Sequence, residues 1–370
     1  MVDEGAGGGL GRRGRGRGRD APPGGAGGRA EGRGVGVGVG GGWAGLASAQ
    51  LMVALPLLVA AAPLAAVLLL RWRGLALLLA WYLQRVLRPE AYARGGDGAL
   101  SRMILQGWGR VVGLGALRYF PAALVEEARL KPRPQGMLLG LHPHGFICSP
   151  VWLHLLPSGA FAARHGLELR FATINVNFWC PVWTDVLVLF GFISAGRKSL
   201  EAHLRAGRAV GLVVGGAEEA AATATDRFDL VLRKRKGFVK CALRTGAALV
   251  PVVSLGENRI IRQAALPKGH WLQNVSRPLF RLCQRHLGFV PMLPYGRPLF
   301  GGLLPVSITP FQSQLVTVVG KPLAVPEIAD PTSEQVEYHH ARYLAEVARI
   351  YDTYKDQYGL VNSPPLRFIA

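Results

Sequence analysis

The chain has 370 residues, half of them hydrophobic, and its 43 lysines and arginines exceed its 23 aspartates and glutamates by a net charge of +20. A mean hydropathy of +0.23 is too low for a transporter with many spans and high for a soluble enzyme, so we expect a globular domain with one membrane attachment. The charge favours anionic partners, namely nucleic acid, anionic lipid or a phosphorylated cofactor. The spacing of the four cysteines fits no zinc site and suits a reduced, cytosol-facing protein.

Residues 1–42 form a glycine-rich tail with interleaved arginines, among them Arg12, Arg13 and Arg15. A segment of this composition cannot build a core, so we predict that it is disordered. Glycine–arginine repeats can bind RNA, and the alternative is a solvated tail that at most touches anionic membrane. The second interpretation is favoured because no aromatic residues that could stack on bases are interleaved with the arginines.

Residues 43–88 are predicted to form a hydrophobic membrane hairpin. The run from Trp43 to Leu70 carries no charge and is long enough to cross a bilayer. A shorter apolar run, from Leu75 to Leu83, follows an Arg-Trp-Arg-Gly interruption. Two arrangements are therefore open, a bent hairpin and a single span with an interfacial second half. The flanking arginines favour a cytosolic position for the rest of the chain.

Residues 89–370 show the pattern of one α/β domain, a mixed sheet with flanking helices. Short apolar runs predict strands at Met137–Leu141, Ala209–Val214, Ala248–Val253 and Leu315–Val319, and helices are predicted at Ser199–Ala206 and Lys236–Thr245. A last amphipathic helix begins after Pro331, where Thr332 and Gln335 predict a capping box. It is expected to end at Gly359 and to pack onto the core.

The first candidate site is the segment His142-Pro143-His144-Gly145, which directly follows a predicted strand. Active sites collect at the carboxyl ends of strands in open α/β sheets. Histidine is a natural base for acyl transfer to a hydroxyl, and Gly145 would let its backbone N–H face a developing oxyanion. The alternatives are a turn with two surface histidines and a metal site, although no third ligand stands out in the sequence.

A second candidate site follows the next predicted strand, at Gly215-Gly216-Ala217-Glu218-Glu219. Its carboxylates could orient a histidine or position a substrate hydroxyl, and the alternative is a strand-to-helix turn with solvated glutamates. The glycine pair is too short to be a nucleotide-binding fingerprint.

A third candidate site is the basic segment from Arg233 to Lys240. In a helix, Lys236, Lys240 and Arg244 recur every four residues and form one basic stripe. Such a cluster at the start of a helix suits a phosphate-bearing ligand. The alternatives are a solvated charged face and a nucleic-acid patch.

Taken in chain order, these motifs resemble the type-2 diacylglycerol acyltransferase family, which includes monoacylglycerol and wax alcohol acyltransferases. The resemblance covers about residues 50–360, and Arg259 departs from it where an acidic residue is usual. The matching segments are Tyr119-Phe120-Pro121, His142-Pro143-His144-Gly145, Gly215-Gly216-Ala217 with Glu219, Arg235-Lys236-Gly237-Phe238-Val239, Leu249-Val250-Pro251, Gly256-Glu257-Asn258 and Thr317-Val318-Val319-Gly320.

The resemblance implies a fold like that of the glycerolipid acyltransferases and an acyl-CoA-dependent O-acyltransferase. Acyl-CoA would be a co-substrate, with no permanently bound cofactor and no metal. Diacylglycerol is the expected acceptor, and 2-monoacylglycerol and a long-chain alcohol are the alternatives. The expected location is the endoplasmic reticulum membrane, and lipid droplets as well, with no nucleic-acid partner; assembly as a homo-oligomer is open.

The resemblance also implies roles for particular residues. His144 would be the base with His142 in support, while Arg235, Lys236 and Lys240 would hold the phosphates of coenzyme A. Distant glycerolipid acyltransferases orient their histidine with the aspartate of an H-x-x-x-x-D pattern, and no aspartate follows His144 at that spacing here, so Glu219 is expected to orient His144. Two functions of other classes stay open, a non-catalytic lipid-binding scaffold and an RNA-binding protein.

Overall fold

The protein is described by a computed structural model. The described residues are 43–70, 72–87, 103–104, 107–108, 114–156, 159–179, 183–225, 227–263, 278, 282–283, 294–297, 309–360 and 363–369. The tail predicted at 1–42 lies outside them.

A seven-stranded mixed sheet forms the centre of the domain, in the order β1-β10-β7-β2-β5-β3-β4. Strands β7, β2, β5, β3 and β4 run parallel, whereas β10 is antiparallel to β7 and parallel to β1. Separate pairs join β6 to β11 and β8 to β9. The strands are β1 Ala122–Glu126, β2 Met137–His142, β3 Leu169–Thr173, β4 Phe192–Ser194, β5 Ala209–Val213, β6 Phe228–Val231, β7 Ala248–Leu255, β8 Arg262–Gln263, β9 Pro294–Tyr295, β10 Leu315–Val319 and β11 Leu366–Ile369.

Helices flank this sheet, and a π-helix at Val151–Leu155 and a 3₁₀-helix at Asn175–Trp179 lie between the regular elements. The α-helices are α1 Trp43–Leu70, α2 Trp72–Leu87, α3 Leu114–Tyr119, α4 Ala160–His165, α5 Trp183–Leu189, α6 Arg197–Arg205, α7 Gly216–Ala222, α8 Gly237–Thr245, α9 Glu257–Ile260 and α10 Ser333–Gln357.

The predicted α/β class with a mixed sheet and flanking helices is confirmed. All four predicted strands are present as β2, β5, β7 and β10, and both predicted helices are present as α6 and α8. The sequence did not predict the other seven strands, among them β3, β4 and β6. The reason is that Arg170 and Asp229 interrupt the apolar pattern of β3 and β6, and that β4 has only three residues.

The sheet is covered on both faces, because side chains of alternate strand residues point to opposite sides. Leu138 of β2 packs in one hydrophobic cluster with helices α6, α8 and α10, whereas its neighbours Leu139 and Leu141 pack in another with the π-helix, α4 and α5. Strand β2 therefore lies at the centre of a three-layer core, and each of its residues is buried.

Helix α10 begins with the predicted capping box. The Thr332 hydroxyl accepts from the Gln335 backbone N–H at 3.2 Å, and the Gln335 side chain accepts from the Thr332 N–H at 2.9 Å. Two N–H groups that the first turn of a helix leaves unpaired are satisfied in this way. The helix packs onto the core as predicted, with Tyr343 fully buried.

Helices α1 and α2 occupy the segment predicted to be a hairpin. The first turns of α1 pack on the domain, where Ala49 and Met52 are buried against Phe120. The Trp81 indole N–H of α2 donates to the Asp185 carboxylate of α5 at 3.0 Å. Counting only the residues whose side chains are described, no helix is long and apolar enough to cross a membrane.

Candidate functional site

Three neighbouring parallel strands, β7, β2 and β5, end at the same edge of the sheet. Strand β2 lies in the middle and continues into the segment His142-Pro143-His144-Gly145. Strand β5 leads to Glu219 on α7, and β7 leads to Glu257 on α9. Parallel alignment therefore places both glutamates on either side of the histidine loop, as expected for a site at the carboxyl edge of an α/β sheet.

His144 is held through its backbone and its ring. Its N–H donates to Glu219 Oε1 at 2.6 Å, and its ring Nδ1 lies 2.9 Å from the Gly145 carbonyl oxygen. Because a carbonyl oxygen only accepts, Nδ1 carries the proton and the lone pair is on Nε2. Burial lowers the pKa of His144, so the imidazole is neutral at pH 7 and Nε2 is available as a base.

Glu219 is buried, and it contacts the loop in a different way from the prediction. Its Oε1 accepts from the His144 backbone, and its Oε2 accepts from the Val231 N–H at 2.7 Å, so it fixes the loop and not the imidazole. Burial raises its pKa to about 7, and the two N–H donors act in the opposite direction. Its half-exposed neighbour Glu218 instead forms an ion pair with Arg235 at 3.1 Å.

His142 faces away from His144 and into the core. It is fully buried, its Nε2 lies 2.8 Å from the Tyr343 hydroxyl of α10, and that hydroxyl donates to the Gly140 carbonyl at 3.2 Å. Burial lowers the pKa of His142 to about 3. The geometry gives His142 a bracing position between β2 and α10, because its ring does not line the cavity next to His144.

Gly145 lies so close to the Glu257 side chain that a residue with a Cβ atom does not fit at position 145. Its φ is +54°, and an added Cβ would lie 2.4 Å from Glu257 Cγ. The Glu257 carboxylate accepts from the Ser149 N–H at 3.0 and 3.1 Å and also from the Ser149 hydroxyl. Burial raises the pKa of Glu257 to about 7. The loop therefore lies between two buried carboxylates, each holding backbone N–H groups.

Sequence reasoning did not assign roles to Glu257 and Tyr343. The signal for Glu257 was its position directly after an apolar strand, in the Gly256-Glu257-Asn258 motif. Tyr343 gave no signal, since a tyrosine on the buried face of an amphipathic helix is ordinarily a core residue.

The three basic residues predicted to bind phosphate lie around the start of α8. Arg235 pairs with Glu218, and Lys236 pairs with Glu337 of α10. Lys240 lies one turn into the helix and is partly buried, whereas Phe238 and Cys241 face the core as predicted.

An apolar cavity of about 260 Å³, here called the His144 cavity, opens next to His144. Its polar lining includes Thr173 and Asn177. Aromatic and aliphatic side chains form most of the rest, among them Phe146, Trp152, Trp183, Leu187 and Phe192. A neutral imidazole beside an apolar cavity can remove a proton from a hydroxyl carried by an apolar substrate. Among the described residues, no cluster of three metal-ligating side chains is found.

Comparison with known proteins places these features in a family. The family model for diacylglycerol acyltransferase matches residues 91–368. Diacylglycerol O-acyltransferase 2 of Danio rerio is 36% identical over 255 residues, which cover 67% of this chain and 68% of the relative. The human 2-acylglycerol O-acyltransferase 3 is 37% identical over 263 residues, covering 68% of this chain and 73% of the relative.

A fungal relative extends the same similarity. Diacylglycerol O-acyltransferase 2B of Umbelopsis ramanniana is 35% identical over 260 residues, covering 68% of this chain and 72% of the relative. No solved structure matches. The matched region contains the whole seven-stranded sheet, the histidine loop and both buried glutamates.

Proposed function

This chain belongs to the diacylglycerol acyltransferase family, and we infer from this membership that it transfers an acyl group from acyl-CoA to the hydroxyl of an acylglycerol. The relatives are named for two acceptors, diacylglycerol and 2-acylglycerol. We propose diacylglycerol as the first acceptor, because relatives with that name come from animals, a fungus and Dictyostelium. Monoacylglycerol is the second candidate, and a long-chain alcohol is the third.

The single observation that carries the proposed mechanism is the position of His144, with its ring held by Gly145 and its side chain at an apolar cavity. Nε2 takes the proton of the acceptor hydroxyl, and the hydroxyl oxygen attacks the thioester carbonyl carbon. The carbon–sulfur bond then breaks, the ester forms, and the coenzyme A thiolate takes the proton back from the imidazolium. No proton is gained or lost in the sum of these steps.

The same proposal includes stabilisation of the oxyanion, positioning of His144 and binding of the coenzyme A phosphates. The Gly145 N–H or a neighbouring backbone N–H stabilises the oxyanion that forms on the thioester carbonyl, as preorganised donors do in acyl transfer. Glu219 supports catalysis by fixing the backbone of His144, and His142 does so by bracing the strand before it. Arg235, Lys236 and Lys240 stay candidates for the phosphates of coenzyme A, although two of them are ion-paired here.

We also propose that residues 43–88 associate with a membrane, with the domain on its cytosolic side at the endoplasmic reticulum or at lipid droplets. The support is an apolar surface on α1 and α2, where several large side chains are at least half exposed: Leu58, Leu68, Leu69, Trp72, Leu75, Leu77, Leu79, Tyr82 and Leu83. Contiguous exposed apolar surface of this kind marks membrane or protein contacts. Retention of the chain in the pellet after alkaline carbonate washing tests this. Assembly with copies of itself stays a proposal.

The test of the function uses membranes that contain the full chain, given labelled acyl-CoA with diacylglycerol, monoacylglycerol or hexadecanol in parallel. We expect triacylglycerol as the main product, and its loss by at least about a hundredfold in His144→Ala, the magnitude typical for a general base. His339→Gln, which changes a histidine on α10, is the control and keeps activity. Undiminished product with His144→Ala would exclude His144 as the base, and preference for hexadecanol would overturn the acceptor.

A further inference from the structure

A second cavity, here called the polar cavity, lies at the carboxyl-terminal end of α7 and has a volume of about 570 Å³. Its charged lining consists of Arg227, Arg262 and Asp229. The Asp229 carboxylate is already paired with Arg367 through two contacts of 2.7 and 2.8 Å. Positive charge therefore exceeds negative charge in the cavity, which suits an anionic ligand.

Asn258 gives this cavity an unpaired hydrogen-bond acceptor. The residue is 7% exposed, and its Nδ2 donates to the Arg227 carbonyl at 3.0 Å. Its Oδ1 is buried and has no partner among the described residues. Buried amide oxygens are normally hydrogen-bonded, so this unpaired atom, on a residue that lines the cavity, favours a ligand with an N–H or O–H group.

Arg262 is positioned at the wall of the cavity and remains exposed. Its guanidinium carbon lies 4.5 Å from the centroid of the Phe311 ring, which holds the side chain by a cation–π contact. A planar guanidinium can bind phosphate oxygens through two parallel hydrogen bonds. Thr223 and Gln263 add neutral hydrogen-bonding groups to the lining.

A narrow gap of about 10 Å³ shares lining residues with both the polar cavity and the His144 cavity. Thr223, Arg262 and Gln263 line both the gap and the polar cavity. Phe146 and Ala220 line both the gap and the His144 cavity. The gap therefore lies between the two cavities, and Phe146 forms part of its wall.

We propose that the polar cavity binds the phosphorylated adenosine end of coenzyme A, so that the pantetheine arm passes Phe146 and presents the thioester to His144. This assignment rests on the proposed acyl transfer. A charged, hydrogen-bonding cavity and an apolar cavity match the two ends of an acyl-CoA, and the gap between them matches its thin linking arm. Arg262 binds phosphate, and the Asn258 oxygen accepts from an amide or amino group of the ligand.

The basic stripe on α8 is the competing location for the phosphates. Arg235, Lys236 and Lys240 line neither the polar cavity nor the His144 cavity. Binding there would break the ion pairs with Glu218 and Glu337 or share them with the ligand. Arg262 keeps its cation–π contact in the proposed complex and needs no such exchange.

The experiment compares Arg262→Gln with Lys240→Gln, the matched variant of the competing site, and with Lys321→Gln, an exposed residue after β10. The full chain in membranes is assayed for the KM of acyl-CoA and, separately, for the KM of diacylglycerol. We expect Arg262→Gln to raise the KM of acyl-CoA by about tenfold, as loss of one charge-assisted contact does, and to leave the KM of diacylglycerol unchanged. Arg262→Lys restores part of the loss, Lys240→Gln raises this KM by less than Arg262→Gln does, and the exposed control Lys321→Gln matches the wild type.

Either of two results overturns the assignment: an unchanged KM for acyl-CoA in Arg262→Gln, or a rise confined to Lys240→Gln. Direct binding of coenzyme A to the purified full chain separates this outcome from failure of the proposed function. A wild type that binds coenzyme A through Arg262 but transfers no acyl group would refute the transfer and keep the cavity. Equal acyl transfer and an equal KM for acyl-CoA in the wild type and in Arg262→Gln would refute the cavity and keep the transfer.

Discussion

At the scale of single residues, backbone groups and not a carboxylate orient the candidate base. The Gly145 carbonyl fixes the ring of His144, and the two buried glutamates fix the chain on either side of it. These backbone contacts take the place of the orienting aspartate that the resemblance to distant glycerolipid acyltransferases implies. The consequence is that replacing Glu219 or Glu257 should disturb the position of His144 and not its protonation directly.

Gly145→Ala tests how tightly the loop is held against Glu257. The added methyl would lie 2.4 Å from Glu257 Cγ, so the loop must move, and a displacement of even an ångström lowers acyl transfer by about a hundredfold. Gly359→Ala is the matched control, because Gly359 has a φ of +66° and no described atom within 4 Å of an added methyl. We expect Gly359→Ala to keep its activity. Thermal unfolding of this variant should show only the loss of roughly 1–2 kcal/mol that a left-handed backbone conformation costs a residue with a side chain. Equal effects of the two variants on activity would contradict the proposed close approach.

Glu219→Gln tests the environment of the buried carboxyl through the pH dependence of stability. The pKa of Glu219 is about 7 in the folded chain and about 4.5 when the group is free, so the folded state binds the additional proton between these values. The free energy of unfolding therefore falls as the pH rises from about 4.5 to 7. Above pH 7 the contribution of Glu219 no longer changes with pH. In Glu219→Gln this slope is flatter, because the amide does not titrate.

The same variant is less stable than the wild type by about 1–3 kcal/mol at low pH, and this difference narrows as the pH rises toward 7, because only the wild type loses stability there. A glutamine has one acceptor oxygen for the N–H groups of His144 and Val231, so one of them loses its partner. Chemical denaturation at a series of pH values measures both effects. Glu218→Gln, which changes the half-exposed neighbour, is the control and keeps the wild-type slope. A wild-type slope in Glu219→Gln would show that Glu219 does not take up the proton.

At the scale of elements, the parts of the site that sequence could predict are those carried by single apolar strands. Strands β2, β5 and β7 are continuous buried runs, so His144 and Glu219 were identified as residues that follow strand ends. The order β7-β2-β5 could not be read from these runs, because strand neighbours are decided by packing of the whole sheet. For this reason the contacts of Glu257 with Gly145 and Ser149 became visible only in the structure.

The contact between helix α10 and strand β2 was beyond sequence reasoning for the same reason. His142 and Tyr343 are 201 residues apart in the chain and 2.8 Å apart at their polar atoms. A helix that the sequence describes only as an amphipathic element packed on the core therefore also braces the strand that carries the histidine loop.

Tyr343→Phe tests this bracing. The change removes only the hydroxyl, which leaves His142 Nε2 and the Gly140 carbonyl buried without that partner, at a cost of about 1–3 kcal/mol in the free energy of unfolding. Tyr338→Phe, on an exposed face of the same helix, is the control and is neutral. A double variant with His142→Ala should lose less stability than the sum of the single variants, because both act on one contact. Additive losses would mean that the two residues are energetically independent.

At the scale of the whole molecule, helix α5 connects helix α2 with the His144 cavity. Helix α5 contributes Trp183 and Leu187 to the His144 cavity, and its Asp185 accepts the hydrogen bond from Trp81 of α2. The proposed membrane segment is therefore attached beside the apolar cavity, whereas the polar cavity lies beyond the gap at Phe146. If both proposals hold, an acylglycerol would come from the membrane side and coenzyme A from the aqueous side, so the two substrates would not share a route.

Deletion of residues 1–42 tests whether the glycine–arginine tail contributes to this activity. The tail precedes the first described helix. Every residue of the candidate site and of both cavities lies between His142 and Ile369. We therefore expect the shortened chain to keep the wild-type kcat and both KM values in membranes. The tail carries seven arginines against four acidic residues, and this excess of positive charge still allows weak binding to anionic surfaces. RNA retention by the full chain but not by the shortened one, together with a loss of acyl transfer on deletion, would contradict this separation and make the tail part of the function.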